Sequence, residues 1–186
     1  MLFLSLLFSN VVFADNIDLS LEGYIGTFGF WNVNHEPALS SYGDYTAGGT
    51  PAIDFYVNKT WRIGTECMLL WGQPKTDDNP RFIINPNVRF RMNFPYQEKM
   101  NIGIIISGGL SIWPEMEGTP YLNSSFLEQR TGWNIRTAAS FEYEINDRFS
   151  ITGQIGYSAS SSVNQSNDTW ITHDTALFGI APRITF

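Results

Sequence analysis

The chain has 186 residues, enough for one domain of ordinary size, with 15% aromatic but only 16% charged residues. Its formal net charge of −7 argues against a nucleic-acid partner, which needs a basic surface. One cysteine and two histidines exclude an intrachain disulfide and argue against a structural zinc site. Glycine is frequent and runs of strong helix formers are missing, so an all-β architecture is expected.

The first segment, MLFLSLLFSNVVFA (1–14), is apolar and places Val12 and Ala14 where a signal peptidase wants small side chains. It reads as a signal peptide without the usual basic start, with a mature β-barrel domain over 15–186. No later run approaches the roughly 20 apolar residues of a membrane helix, so any membrane crossing is by strands.

Eight strands are expected in chain order: 18–31, 50–58, 61–72, 81–93, 99–112, 132–145, 148–159 and 171–186. Most exceed the five or six residues usual in globular sheets and match the roughly 9–11 that a tilted strand needs to cross a bilayer. The connections alternate in length. Segments 32–49, 73–80, 113–130 and 160–169 are the longer ones, and 58–60, 94–99 and 146–148 are the shorter. An up-and-down meander puts the longer set at one end and the shorter at the other, as in outer-membrane barrels with short periplasmic turns and long outer loops.

Side chains alternate between two faces. In RFIINPNVRFRMNF (81–94), Phe82, Ile84, Pro86, Val88, Phe90 and Met92 share one face, while Arg81, Asn85, Asn87, Arg89, Arg91 and Asn93 share the other with Ile83. The bulky apolar face suits acyl chains, and the small polar face suits a narrow eight-stranded lumen that side chains fill. Five arginines fall on the polar parity: Arg62, Arg89, Arg91, Arg136 and Arg183. So do five carboxylates: Glu22, Asp54, Glu66, Glu142 and Glu144. Such a balanced set is expected as a lumen charge network, because an unpaired buried charge is costly. Pairs such as Arg62–Glu66 and Arg136–Glu142 would block a wide pore. Their rearrangement would allow at most a small, infrequent conductance.

Trp31, Trp71, Trp113, Trp133 and Trp170 fall at strand ends beside the longer connections, and Trp61 falls at the opposite end with Tyr96, Phe149 and Phe186. Two aromatic girdles at the lipid–water boundaries are therefore expected. The last strand, LFGIAPRITF, sets Phe178, Ile180, Pro182, Ile184 and Phe186 on one parity and stops on an aromatic. Pro182 has no N–H for a ladder, so a bulge or an unpaired position is expected there.

This terminal pattern resembles the C-terminal strand of bacterial outer-membrane β-barrel proteins. Over residues 18–186 the chain resembles their small eight-stranded group, which includes the OmpA membrane domain, OmpX and opacity-type proteins. The resemblance implies an eight-stranded antiparallel up-and-down transmembrane β-barrel in the outer membrane of a Gram-negative-type bacterium, with both termini periplasmic. It implies that Phe178, Ile180, Ile184 and Phe186 form the signal read by the barrel-assembly machinery. It also implies outer-membrane lipid and lipopolysaccharide as partners of a monomer that needs no cofactor. No wall-anchoring domain of the OmpA kind is expected after the last strand.

Some barrels of this kind modify lipid A, so the histidines matter. His173 lies in THDT beside Asp174 and Thr175, and His35 lies near Glu36, Ser40, Ser41 and Asp44. A nucleophile, a base and an orienting acid are needed together. His173-x-Thr175 lacks an assignable third member, and His35 lacks a partner motif. No catalytic, cofactor-binding or metal-binding residue is therefore assigned. The longer connections are acidic, with Glu36, Asp44, Asp77, Asp78, Glu115, Glu117, Glu128 and Asp168 against Lys75 and Arg130. Those carboxylates suit divalent cations bridging to lipopolysaccharide phosphates, and the loop tyrosines suit an unidentified surface ligand. Three functions are weighed: a structural or surface-interaction barrel, a lipid A-modifying enzyme, and a soluble lipocalin-like ligand carrier.

Overall fold

The computed structural model describes residues 17–33, 41–73, 81–114, 130–164 and 169–186. The segment expected to be a signal peptide lies outside them. Eight strands follow one another: β1 (Ile17–Val33), β2 (Ser41–Tyr56), β3 (Trp61–Gln73), β4 (Arg81–Gln97), β5 (Met100–Trp113), β6 (Arg130–Asn146), β7 (Phe149–Asn164) and β8 (Thr169–Thr185). Each pairs antiparallel with the next, and β1 pairs with β8 from Asp18↔Thr185 to Val33↔Ile171, which closes the barrel. Closure leaves no sheet edge unpaired.

The sheet is inside out relative to a water-soluble barrel. Phe90, Ile104 and Ile135 point outward and are 48%, 44% and 46% exposed, whereas Arg89 between its apolar neighbours is 0% exposed. The two-residue period of β4, β5 and β6 sorts bulky apolar side chains onto one face and mostly polar ones onto the other, and the closed barrel turns the apolar face outward.

The shorter connections are tight turns over 57–60, 98–99 and 147–148. Two of them use the same device. Asn58 Oδ1 accepts hydrogen bonds from the Thr60 and Trp61 amides at 2.8 and 2.9 Å, and Asn146 Oδ1 accepts from Arg148 and Phe149 at 2.9 and 3.0 Å. An Asn side chain thus mimics the backbone and reverses the chain in few residues.

Most strand ends shift by one or two residues from the sequence reading, β4 runs four residues further to Gln97, and two boundaries differ by more. β2 begins at Ser41 rather than 50, and β7 runs on to Asn164 rather than 159. The Ser- and Gly-rich stretches 41–49 and 160–164 resemble loops in composition, yet they join the sheet, and most of their residues from Tyr45 on pair on both sides, as Ala47 does with Ile25 and Trp71. Barrel closure supplies a partner strand on each side and overrides weak intrinsic propensity.

Pro182 occupies an unpaired position. The β1–β8 ladder runs to Ser20↔Arg183, resumes at Gly23↔Ile180 and skips Leu21–Pro182, while Pro182 keeps its place opposite Ile151 on β7. Its missing N–H would have pointed at β1.

Candidate functional site

The lumen is filled in layers, beginning at the tight-turn end. Asp18 Oδ2 receives Arg62 Nη1 at 2.6 Å and Arg183 Nη1 at 2.9 Å. Glu142 receives Arg91 Nη2 at 3.0 Å, contacts Arg183, and lies 4.0 Å from Arg62. Tyr56 underlies this cluster, with the Arg62 guanidinium carbon 4.1 Å from its ring centre.

A second ionic layer lies above. Glu22 receives Arg89 Nη1 at 2.6 Å and Arg136 Nη2 at 2.9 Å. Glu66 receives Arg136 Nη1 at 2.9 Å and Arg89 Nη1 at 3.3 Å, and Asp54 lies 3.4 Å from Arg89 Nε. Among the described residues, five arginines and five carboxylates are buried in this lumen, so its formal charge is balanced. Guanidinium groups suit the task because one planar fork serves two or three carboxylates.

Uncharged polar groups follow. Asn87 Nδ2 donates to Asn134 Oδ1 at 2.8 Å, and Asn134 Nδ2 donates to Ser160 Oγ at 2.9 Å and Ser158 Oγ at 3.1 Å. At the long-connection end the lumen turns apolar, where Met68, Leu70, Ile83, Trp113 and Ile171 form one buried cluster with Tyr24 and Leu177. An ionic plug and an apolar cap thus occupy the same channel in series.

The structure gathers nine of the ten expected lumen charges: Arg62, Glu66, Arg89, Arg91, Arg136, Glu142, Arg183, Glu22 and Asp54. Glu144 is the exception. It is exposed near the turn and accepts a hydrogen bond from Asn101 at 2.8 Å, because it sits beyond the enclosed part of its strand. The pairing also differs. Arg62 and Glu66 stand four residues apart on one strand, roughly 13 Å, too far to meet. Arg62 takes Asp18 instead, and Arg136 takes Glu22 and Glu66 rather than Glu142. Asp18 is the residue the sequence reading missed. Extending the parity of Ser20 and Glu22 by one step locates it.

Of the tryptophans, Trp61, Trp71 and Trp133 are outward and exposed. Trp113 is a correction: it is buried, and its Nε1 donates to Ser111 Oγ at 2.7 Å. It shares the inward parity of Ser111, so its position at a strand end was misleading. The side chains of Trp31 and Trp170 lie outside the described set. Phe178, Ile180, Ile184 and Phe186 all point outward. His173 is buried in the lumen with Nε2 3.3 Å from Thr46 Oγ1, and Thr175 is buried near it. His35 lies outside the described residues, as do most of the acidic loop residues. Asp44 belongs to β2.

The fold and its filled, charge-balanced lumen define a small closed eight-stranded barrel of the outer-membrane type. Solved structures that share that fold include the following two. Neisserial surface protein A aligns over 91% of this chain and 97% of its own with a TM-score of 0.63 and 9% identity. The outer membrane protein OprG from Pseudomonas aeruginosa aligns over 92% and 95% with a TM-score of 0.57 and 10% identity. No family model matches the sequence, and no curated protein matches it.

Proposed function

We propose that the chain is an integral outer-membrane barrel with both termini periplasmic, and that its role is structural or one of surface interaction rather than catalysis. The observation that carries this reading is the inverted wall: aliphatic and aromatic residues cover the outside while paired charges fill the inside. Water would penalise that exterior, and hydrocarbon would not. The plugged lumen supports a barrel that holds no steady aqueous pore. An apolar ligand of the lipocalin kind would find ion pairs where its cavity should be.

Against lipid A chemistry stands the burial of His173, which lies on the lumen side of the wall while acyl chains lie on the other. The acidic residues of the longer connections suit divalent cations shared with lipopolysaccharide phosphates, and the outward terminal strand suits the assembly machinery. Two experiments test the reading. Unboiled protein in detergent should migrate differently from boiled protein on a gel, and a single unchanged band would refute the membrane barrel. Incubation with lipopolysaccharide should leave its acylation unchanged by mass spectrometry. A change that disappears in His173→Ala or His35→Ala would refute the non-enzymatic role.

A further inference from the structure

The outer wall carries three prolines in mid-strand, and all three lie on one row of the barrel. Following register from strand to strand, Pro182 stands opposite Leu21 by the continuation of the β1–β8 ladder, and Leu21 pairs with Pro51. Pro51 leads to Cys67 by continuation of the β2–β3 ladder, Cys67 pairs with Pro86, and Pro86 leads to Leu110. Every second seam on this row is interrupted. The β2–β3 pairing jumps from Gly49↔Leu69 to Ala52↔Glu66, and the β4–β5 pairing jumps from Ile84↔Ile112 to Asn87↔Gly109. A missing proline N–H removes one ladder bond in this pattern. The carbonyls that lose their ladder donor are those of Leu21, Cys67 and Leu110.

A groove of about 820 Å³ crosses the outer face over two of these seams. Leu19 and Ile53 line its lower part, Pro51, Cys67 and Pro86 run along it, and Leu110 stands at its top. Small and ring-shaped side chains leave a trough in a wall otherwise built of large aliphatics. Because strands tilt, a row perpendicular to them climbs around the barrel. Its upper end therefore reaches the long-connection side, where Leu110 pairs with the exposed Trp133. In a membrane, a carbonyl without a donor at that end of the wall would face hydrocarbon near the headgroup boundary, where no water satisfies it at low cost.

We propose that this groove binds an acyl chain bearing a hydroxyl near its head, with the hydroxyl donating to the Leu110 carbonyl and the chain running down past Cys67 toward Leu19. An unsubstituted chain fills the trough but leaves the carbonyl bare. The β carbon that bears the hydroxyl lies two bonds from the ester carbonyl carbon, close enough to the head for the hydroxyl to reach Leu110 at the top of the groove. The inference rests on the membrane reading above.

Cys67, the single cysteine of the chain, reports occupancy. The experiment places the barrel in dimyristoylphosphatidylcholine vesicles and measures alkylation of Cys67 by a lipid-soluble maleimide, with methyl β-hydroxymyristate or methyl myristate added. One hydrogen bond corresponds to roughly threefold to tenfold in affinity, so the hydroxy ester should protect Cys67 at a correspondingly lower concentration. Pro86→Ala and Pro86→Ser each return an N–H to the Leu110 carbonyl and should erase the difference while keeping the groove. Equal protection by the two esters, a difference that survives either variant, or protection that rises with protein density alone overturns the proposal. The last outcome would assign the trough to a second copy of the chain. A protein that fails to enter vesicles and shows no gel shift refutes the membrane reading instead, so the two failures are distinct.

Discussion

Arg136 of β6 and Glu22 of β1 meet at 2.9 Å, although 114 positions separate them and their strands are not neighbours in the barrel. The contact crosses the lumen and ties opposite walls together. Such a bond contributes nothing until the barrel has closed, so the ionic plug is a property of the finished ring.

Removing a central cation should therefore be costly. Arg89 serves Glu22, Glu66 and Asp54, and Arg89→Leu leaves three buried carboxylates short of a partner. Breaking a buried pair costs about 3–5 kcal/mol. Phe90→Leu, on the lipid side of the next residue, should cost less than about 1.5 kcal/mol. Urea unfolding of both variants in detergent checks this, and equal or reversed costs would contradict the inward assignment of Arg89.

Closure of the ring is read at Asp18 and Arg183, which join β1 to β8 at 2.9 Å. A double-mutant cycle with Asp18→Asn and Arg183→Leu should return a coupling of about 0.5–3 kcal/mol, as expected for groups in one network. Strict additivity would mean that the two side chains do not meet in the folded barrel.

The tryptophans divide by environment. A variant keeping only Trp71 should be strongly quenched by brominated lipid, and one keeping only Trp113 should be shielded, because Trp113 points into the lumen. Similar quenching of both would restore Trp113 to the girdle.

Glycines divide in the same way. A Cβ at Gly103 would lie 2.6 Å from Asn93 Oδ1 and 2.7 Å from Ser140 Oγ. Asn93 holds Glu142 at 2.8 Å and accepts from Arg91 at 2.8 Å. Gly103→Val should thus disturb the lower ionic cluster and destabilise by about 1–3 kcal/mol. Gly153 is exposed on the lipid face, and a Cβ there meets only the Phe141 carbonyl at 4.0 Å. Gly153→Val should be neutral or stabilising in the same denaturation assay.

The alternation of residues 81–94 was enough to assign Arg89 and Arg91 to one face and Phe90 to the other, and the turn residues Asn58 and Asn146 marked two reversals. Parity is local, because successive side chains leave a strand on opposite sides whatever surrounds it. Where local signals were weak the reading fell short. The Gly-rich start of β2 looked like a loop, and Trp113 looked like a girdle residue despite its inward parity.

The partners inside the lumen were not legible. Arg62 met Asp18 rather than Glu66, Arg136 met Glu22 and Glu66 rather than Glu142, and Glu144 met solvent. Sequence by itself determined the strands, their two faces and a balanced set of charges on one of them. Only the tertiary structure decided which charge faces which, how high the apolar cap sits, and that three prolines share one row. Those depend on strand stagger and closure, which bring together residues that no local period relates.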